Sequence, residues 1–133
     1  MADGTKIIGI CITPEHKLLL IKKNNIWDFP GGNMYPEEKD VDCLVRTITE
    51  EQLPYCTLRV NNSLGVFFIG DYKECERIIA YNVNINSDLT VGDGLEEAER
   101  FSLEELTDIK GMHQMTKTVD QMVMKFIGKG LLK

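Results

Sequence analysis

The chain has 133 residues, of which 43% are hydrophobic and 27% charged, and its formal net charge is −6. This length is that of one ordinary domain and the composition is that of a soluble globular protein, so we expect residues 1–133 to form a single domain. The acidic balance argues against a long nucleic acid as the main partner, because binding to a phosphate backbone needs clustered Lys and Arg. No apolar run approaches the roughly 20 residues that span a membrane.

The cysteines bear on the cellular compartment. They are scattered along the chain without a Cys-x-x-Cys pair, and we interpret them as free thiols in a reducing compartment, not as a disulfide or zinc set. No secretory leader is recognisable, so the cytosol is the expected location. The oligomeric state stays open, a homodimer included. The cysteines are Cys11, Cys43, Cys56 and Cys75.

The first 32 residues have the pattern of short strands. Residues 5–13 are β-branched and apolar without a helical period, and residues 17–22 repeat this character after a turn at residues 14–16, which predicts a hairpin. Residues 27–29 form a short third strand. This strand leads directly into a Pro-Gly-Gly turn at residues 30–32.

A helix is expected from Lys39 onward. Apolar residues recur there at steps of three and four, and they define one stripe along the helix. Pro54 ends the helix, because proline has no amide hydrogen to donate. The stripe consists of Val41, Leu44, Val45 and Ile48.

The second half of the chain begins with β-rich segments at residues 57–60, 64–69 and 76–86, with a polar turn at residues 70–73 between the last two. A loop at residues 87–94 and a short strand at residues 99–101 follow. Ser102 is a suitable N-cap for the next helix, and an apolar stripe within residues 113–128 predicts a final amphipathic helix. Strands that flank one early helix and precede two later ones predict an α/β fold in which helices cover both faces of a mixed sheet.

Two adjacent carboxylates at the end of the first helix are the main chemical signal. Glu50 and Glu51 are costly side by side without a counter-cation, and Mg²⁺ relieves that cost because it prefers oxygen ligands. Arg46 lies four residues before Glu50, so its guanidinium can orient and partly neutralise that carboxylate. Gly31 and Gly32 lack Cβ atoms, which lets their main-chain groups approach a metal or phosphate closely.

The segment from Gly32 to Leu53 resembles the Nudix box. The pattern of that box is Gly, five residues, Glu, seven residues, then Arg-Glu-aliphatic-any-Glu-Glu-any-Gly. Thr47 stands where the first helix glutamate belongs, and Leu53 stands where the closing glycine belongs. The residues on the expected spacing are Gly32, Glu38, Arg46, Ile48, Glu50 and Glu51.

The resemblance implies a Nudix-type α/β/α sandwich, with a mixed β-sheet between helices. It also implies hydrolysis of the pyrophosphate linkage in a small nucleoside-diphosphate derivative, such as a nucleoside triphosphate, a nucleotide sugar or ADP-ribose. Mg²⁺ or Mn²⁺ would be held by Glu51 and by the carbonyl of Gly31. Glu50 would be a further ligand or the group that activates water. Glu38 and Gly32 would support the loop around the substrate.

Residues outside the box complete this hypothesis. Nudix proteins often take another metal-binding carboxylate from a late loop, for which Glu96 is the first choice ahead of Asp93 and Glu97. Relatives that lack the box glutamate use a late histidine as the base, and His113 could serve because imidazole titrates near neutral pH. His16, in a turn, is not expected to be catalytic.

Aromatic side chains are candidates for contact with a nucleobase, because aromatic faces stack well on bases. Trp27 and Phe67 are the first choices, and Phe68 is a neighbouring alternative. Their period-2 strand setting favours core packing for at least one of the two phenylalanines.

Two other functions remain open on the sequence. Thr47 and Leu53 are compatible with a catalytically silent module that binds nucleotides or contacts a protein. Action on an RNA cap is a third hypothesis, which the acidic charge and the lack of a basic extension disfavour.

Overall fold

The structure is a computed structural model, and it describes residues 5–70, 75–87 and 89–132. The predicted turn at residues 70–73 lies largely outside this part of the chain. The described elements comprise strands, three α-helices and one π-helical segment that continues the first helix. Their bounds are β1 Thr5–Ile10, β2 Leu18–Lys23, β3 Ile26–Asp28, β4 Gly31–Asn33, α1 Asp40–Val45, the π-helical segment Arg46–Gln52, β5 Cys56–Gly70, β6 Cys75–Ser87, β7 Glu97–Phe101, α2 Leu103–Gly111 and α3 Lys117–Gly128.

The strands form two sheets. One is mixed, with the order β4-β1-β6-β5, and β1 runs parallel to β6. The other is antiparallel, with the order β3-β2-β7. The predicted mixed sheet is therefore present, and the antiparallel sheet accompanies it.

The predicted hairpin between the first two strands is confined to the residues beside its turn. Ile12 and Leu18 form an antiparallel bridge there, and the Leu19 N–H donates to the Cys11 carbonyl at 3.0 Å. Away from the turn, β1 and β2 enter different sheets. Both strands are continuous apolar runs whose residues are mostly buried. Such runs need partners on both edges and cover on both faces, and each strand finds two neighbours in its own sheet.

Helices cover both sides of the mixed sheet, as the α/β/α prediction requires. Ile8 and Ile10 belong to a core cluster that includes buried residues of α2 and α3. Ile7 points the other way, into a cluster that includes Leu44 and Ile48 of the first helical region. This alternation follows from the two-residue period of a strand. The mixed α/β fold class is confirmed.

The first helix differs from its predicted form in which residues it buries. Leu44 and Ile48 are fully buried as expected, but Val41 and Val45 are 41% and 38% exposed. The buried face is completed by Cys43 and Thr47, which an apolar pattern does not reveal. From Arg46 onward the helix is π-helical, so its side chains are offset from the positions that a 3.6-residue period predicts.

Leu53 ends this helix in a way that glycine would not. Its φ is −131°, outside the left-handed region, and its N–H donates to the Ile48 carbonyl at 2.7 Å. Its side chain is fully buried in the cluster around Leu44 and Ile48. Leucine therefore anchors the helix end by packing, whereas a glycine at this position would favour a left-handed turn.

The helices that close the chain agree with the sequence analysis. Ser102 caps α2 in a capping box with Glu105, and α3 buries most of its expected stripe. In the described part of the chain, no helix is long and apolar enough to cross a membrane.

We expect Leu53→Ala to lower the free energy of unfolding by about 2–5 kcal/mol, because it removes a fully buried side chain and leaves a cavity. Chemical denaturation measures this loss. Leu131→Ala is the matched control, since Leu131 is 38% exposed and should cost far less. Equal losses for the two variants would contradict the anchoring role of Leu53.

Candidate active site

The di-glycine turn is packed against both a strand and a helix. Gly31 has a φ of +134°, and a Cβ atom there would collide with the Ile7 carbonyl oxygen. A Cβ atom on Gly32 would lie 2.7 Å from Cγ2 of Thr47. Glycine is thus required at both positions by close approach, and the turn is seated directly on the helix that carries the paired glutamates.

Arg46 ties the loop to the helix. Its Nε and Nη2 atoms donate to the two carboxylate oxygens of Glu38 at 2.8 and 3.0 Å. Nη2 also contacts the Asn33 carbonyl at 3.2 Å, and the guanidinium lies 3.7 Å from the centre of the Tyr35 ring. A bidentate pair with a stacked ring fixes both position and plane, which a lysine could not do.

This pairing changes the acidity of both partners. Hydrogen bonds from Arg46, and then from the Tyr35 backbone, lower the pKa of Glu38 from 4.5 to about 2. The same contact with Glu38 raises the pKa of Arg46 above its usual value. Glu38 is therefore an anion bonded to Arg46 and to the Tyr35 N–H of the loop, and it is poorly suited to accept a proton during catalysis.

The expected contact between Arg46 and Glu50 is wrong. Arg46 Nη1 pairs instead with Glu51 Oε2 at 2.6 Å. The π-helical backbone, with its i to i+5 hydrogen bonds, brings residue 51 to the side of the helix that carries Arg46. Glu51 is consequently oriented by Arg46, whereas the Glu50 side chain is exposed and forms no hydrogen bond or ion pair with another described residue.

Gln52 is a residue that the sequence analysis missed. Its Oε1 atom accepts a hydrogen bond from the Gly31 N–H at 2.8 Å, and its Nε2 atom donates to the Gly31 carbonyl at 2.8 Å. The carbonyl that the resemblance assigns to a metal is therefore contacted by this amide. A neutral glutamine beside two glutamates gives no sequence signal of such a role.

A cleft of about 500 Å³ opens beside the paired glutamates. The loop before β7 forms its other wall, where Gly92 approaches the Glu51 carbonyl so closely that a Cβ atom would not fit. The Gly92 N–H also donates to the Gln52 carbonyl at 2.9 Å. The lining residues are Glu50, Glu51, Pro54, Tyr55, Val91, Gly92 and Asp93.

The cleft supplies the oxygen donors that Mg²⁺ prefers, from Glu50, Glu51 and Asp93. Among residues 5–70, 75–87 and 89–132, no group of three or more His, Cys, Asp or Glu is arranged to hold a metal by itself. Mg²⁺ sites commonly use one or two carboxylates together with substrate phosphates and waters. The donor set thus fits a cation that is bound jointly with a phosphate.

Glu96, the first choice for the additional carboxylate, is not in this cleft. Its Oε1 atom accepts from the Asn25 N–H at 2.6 Å, and its own N–H donates to the Lys22 carbonyl at 2.8 Å. Glu97 pairs with the Lys22 ammonium at 3.4 Å. Strand pairing between β2 and β7 brings both glutamates near the β2–β3 turn, so Asp93 is the acidic residue of this loop that lines the cleft with the paired glutamates.

Thr47 is a structural residue in place of a carboxylate. It is 4% exposed, and its hydroxyl donates to the Cys43 carbonyl at 2.9 Å within the helix. Its methyl group packs beneath Gly32. The Thr47 side chain is packed and its hydroxyl is hydrogen-bonded. Thr47 therefore supports the di-glycine loop by packing and supplies no charge.

The remaining candidates lie elsewhere. His113 is exposed in the turn after α2, with a φ of +56°, and it does not line the cleft. Trp27 is 5% exposed and packs edge-to-face on Phe101 at 4.7 Å, so its predicted base stacking is wrong. Phe67 is half-buried against the same core and close to Lys129. Tyr55, which is 67% exposed, is the aromatic residue that lines the cleft.

Comparison with known proteins identifies the class. The model of the NUDIX domain family matches residues 5–122, so this chain belongs to the Nudix family. No curated protein matches the chain.

Solved structures share the fold. A structure described as a possible asymmetric diadenosine tetraphosphate hydrolase from Jonesia denitrificans has a TM-score of 0.77 at 15% identity, with 100% of this chain and 98% of that chain covered. A NUDIX hydrolase from Nitrosomonas europaea has a TM-score of 0.76 at 17% identity, with coverage of 96% and 90%. A MutT protein from Methanosarcina mazei has a TM-score of 0.70 at 19% identity, with coverage of 95% and 94%.

The lowered pKa of Glu38 predicts a pH-dependent contribution to stability. Between about pH 4.5 and about pH 2 the unfolded chain binds more protons at this residue than the folded chain, so its contribution is lost as the pH falls through this interval. The difference in Tm between the wild type and Glu38→Gln should be largest above pH 5 and shrink toward pH 2. Glu15→Gln, at an exposed turn, should follow the wild type at every pH. A difference independent of pH would contradict the Arg46–Glu38 assignment.

Proposed function

We propose that this protein is a metal-dependent hydrolase of the pyrophosphate linkage in a small nucleoside-diphosphate derivative. The observation that carries the proposal is the open cleft that Glu50 and Glu51 of the helix end and Asp93 of the loop before β7 line together. These carboxylates supply oxygen donors, which Mg²⁺ prefers, on one side of an open cleft. A magnesium-bound diphosphate would provide both the cation and the remaining ligands.

In this proposal the metal would be held by the cleft residues Glu51, Glu50 and Asp93. The family resemblance adds the Gly31 carbonyl, which the Gln52 amide joins to this helix end. Mg²⁺ or Mn²⁺, when bound, neutralises phosphate charge and lowers the pKa of an attacking water. An ion pair with Arg46 orients Glu51, and a second ion pair with Glu38 orients Arg46. Catalysis of this kind is mainly positioning and electrostatics, and a rigid helix with an attached loop is suited to it.

We propose that Glu50 acts as the base that accepts a proton from the attacking water. It is exposed at the cleft and not tied to Arg46, so it is available to accept a proton. Glu51 is instead held by its ion pair with Arg46 at 2.6 Å, so we assign it to the metal. His113 is a weaker alternative as the base because it does not line the cleft.

The substrate class is supported by the cleft and by the structural neighbours. Tyr55 presents an exposed ring beside the carboxylates, and such a ring can stack on a nucleobase. The neighbours named above include a MutT protein and a possible diadenosine tetraphosphate hydrolase, and another is described as an ADP-ribose pyrophosphatase. These names favour a nucleotide in the cleft. The cytosol suits a chain with free cysteines.

Turnover of a nucleotide panel with and without Mg²⁺ tests the proposal. We expect Glu51→Gln and Asp93→Asn to reduce Mg²⁺-dependent turnover, Glu51→Gln by at least about 100-fold, because each removes a negative oxygen donor from the cleft.

Glu96→Gln is the matched comparison for Asp93→Asn, since both acids lie in the same loop region but only Asp93 lines the cleft. Glu99→Gln, at an exposed site on β7, is a second control. Loss of activity with Glu96→Gln but not with Asp93→Asn would refute the assignment. If the wild type is as inactive as Glu51→Gln on every nucleotide of the panel, the enzyme proposal is refuted.

A catalytically silent nucleotide-binding module is the second candidate. The buried and hydrogen-bonded Thr47 favours it, because the box position that normally carries a glutamate has no charge here. Calorimetry separates the two functions. Nucleotide binding that is independent of Mg²⁺ and releases no product would support the module, and so would turnover that appears only in Thr47→Glu.

A further inference from the structure

Gly31 lies on the free edge of the mixed sheet. The Gly9 N–H donates to the Pro30 carbonyl at 2.8 Å, the Met34 N–H donates to the Thr5 carbonyl at 3.2 Å, and the strand register places Gly31 opposite Ile8. Hydrogen-bonded and non-hydrogen-bonded pairs alternate in an antiparallel ladder, so the Gly31–Ile8 pair is non-hydrogen-bonded. The N–H and carbonyl of Gly31 therefore point away from β1, toward the edge.

Gln52 satisfies both of these groups at once. Its Oε1 accepts from the Gly31 N–H and its Nε2 donates to the Gly31 carbonyl, each at 2.8 Å. A carboxamide carries a strong acceptor and a donor side by side, as this pairing requires. The glutamine thus takes the place of a neighbouring strand at a single residue, and it links the edge strand to the helix end.

The backbone at this point needs such a restraint. Gly31 and Gly32 follow each other, and glycine has the greatest conformational freedom of all residues. Gly31 is buried. If the Gln52 side chain were removed, the Gly31 N–H would lose its hydrogen-bond partner, and water could not replace it. An unpaired buried donor is costly, and the two glycines offer the chain an easy way to rotate.

We propose that Gln52 is a positioning residue of the candidate metal site, which fixes the direction of the Gly31 carbonyl without itself contacting metal or substrate. This role rests on the proposed function. A carbonyl oxygen has two lone pairs, so the bond from Gln52 Nε2 uses one and leaves the other for a cation. The amide therefore orients the ligand and does not compete with it.

The test compares Gln52→Met with the wild type, since methionine keeps the length of the side chain and removes both hydrogen bonds. Mn²⁺ binding is titrated by electron paramagnetic resonance in the presence of a nucleoside α,β-methylene diphosphate. Amide hydrogen exchange of Gly31 is measured by NMR in the same proteins without metal. Gln121→Met, on α3, is the matched control for the substitution itself.

We expect Gln52→Met to weaken Mn²⁺ binding by about 10–100-fold, the usual effect of losing a group that orients a metal ligand. The Gly31 amide should exchange at least about tenfold faster. Val123→Ala, in the core around α3, should lower the Tm while leaving Mn²⁺ affinity unchanged. This control separates positioning from general loss of stability.

Three results would overturn the role of Gln52. They are unchanged or tighter Mn²⁺ binding by Gln52→Met, unchanged exchange at Gly31, or an equal loss of Mn²⁺ affinity in Val123→Ala. If the wild type itself binds no Mn²⁺ with the analogue, the proposed function fails and this role fails with it. That outcome is recognised from the wild-type titration alone.

Discussion

The candidate site depends on the contacts of one guanidinium. Arg46 holds Glu38 of the loop with two hydrogen bonds and Glu51 of the helix with a third, so one guanidinium joins the loop to the helix. The carboxylate of Glu38 is kept charged by this contact, which lowers its pKa to about 2. The helix changes to π geometry at Arg46 itself, and this brings Glu51 within reach of the guanidinium while Glu50 and Glu51 both line the cleft.

The two departures from the Nudix box are accommodated by packing. Thr47 is buried under Gly32, and Leu53 is buried at the helix end. Both residues therefore strengthen the attachment of the loop and the helix to the core. The carboxylates that remain lie on the cleft side, where Asp93 from the loop before β7 joins Glu50 and Glu51.

The sequence was informative where a pattern reports local geometry. The strand runs, the Ser102 cap and the register of Glu38 with Arg46 are all present in the structure. The sequence-based predictions were wrong where tertiary contacts determine the position of a side chain. Strand pairing places Glu96 beside Asn25, and Trp27 is buried in the core. In the π-helical segment Arg46 pairs with Glu51 and not with Glu50. Gln52 and Tyr55 gave no signal, because their roles come from the sheet edge and the cleft.

Paramagnetic broadening by Mn²⁺ is the most direct test of the central claim, that a cation bound with a diphosphate sits between the di-glycine turn and the acidic helix end. With the α,β-methylene analogue present, the account predicts broadening of the backbone amides at Gly31, Glu50, Glu51 and Asp93. It predicts no such effect at Asn25 or His113. Broadening centred on either of those two residues, or none at all at millimolar Mn²⁺, would contradict it.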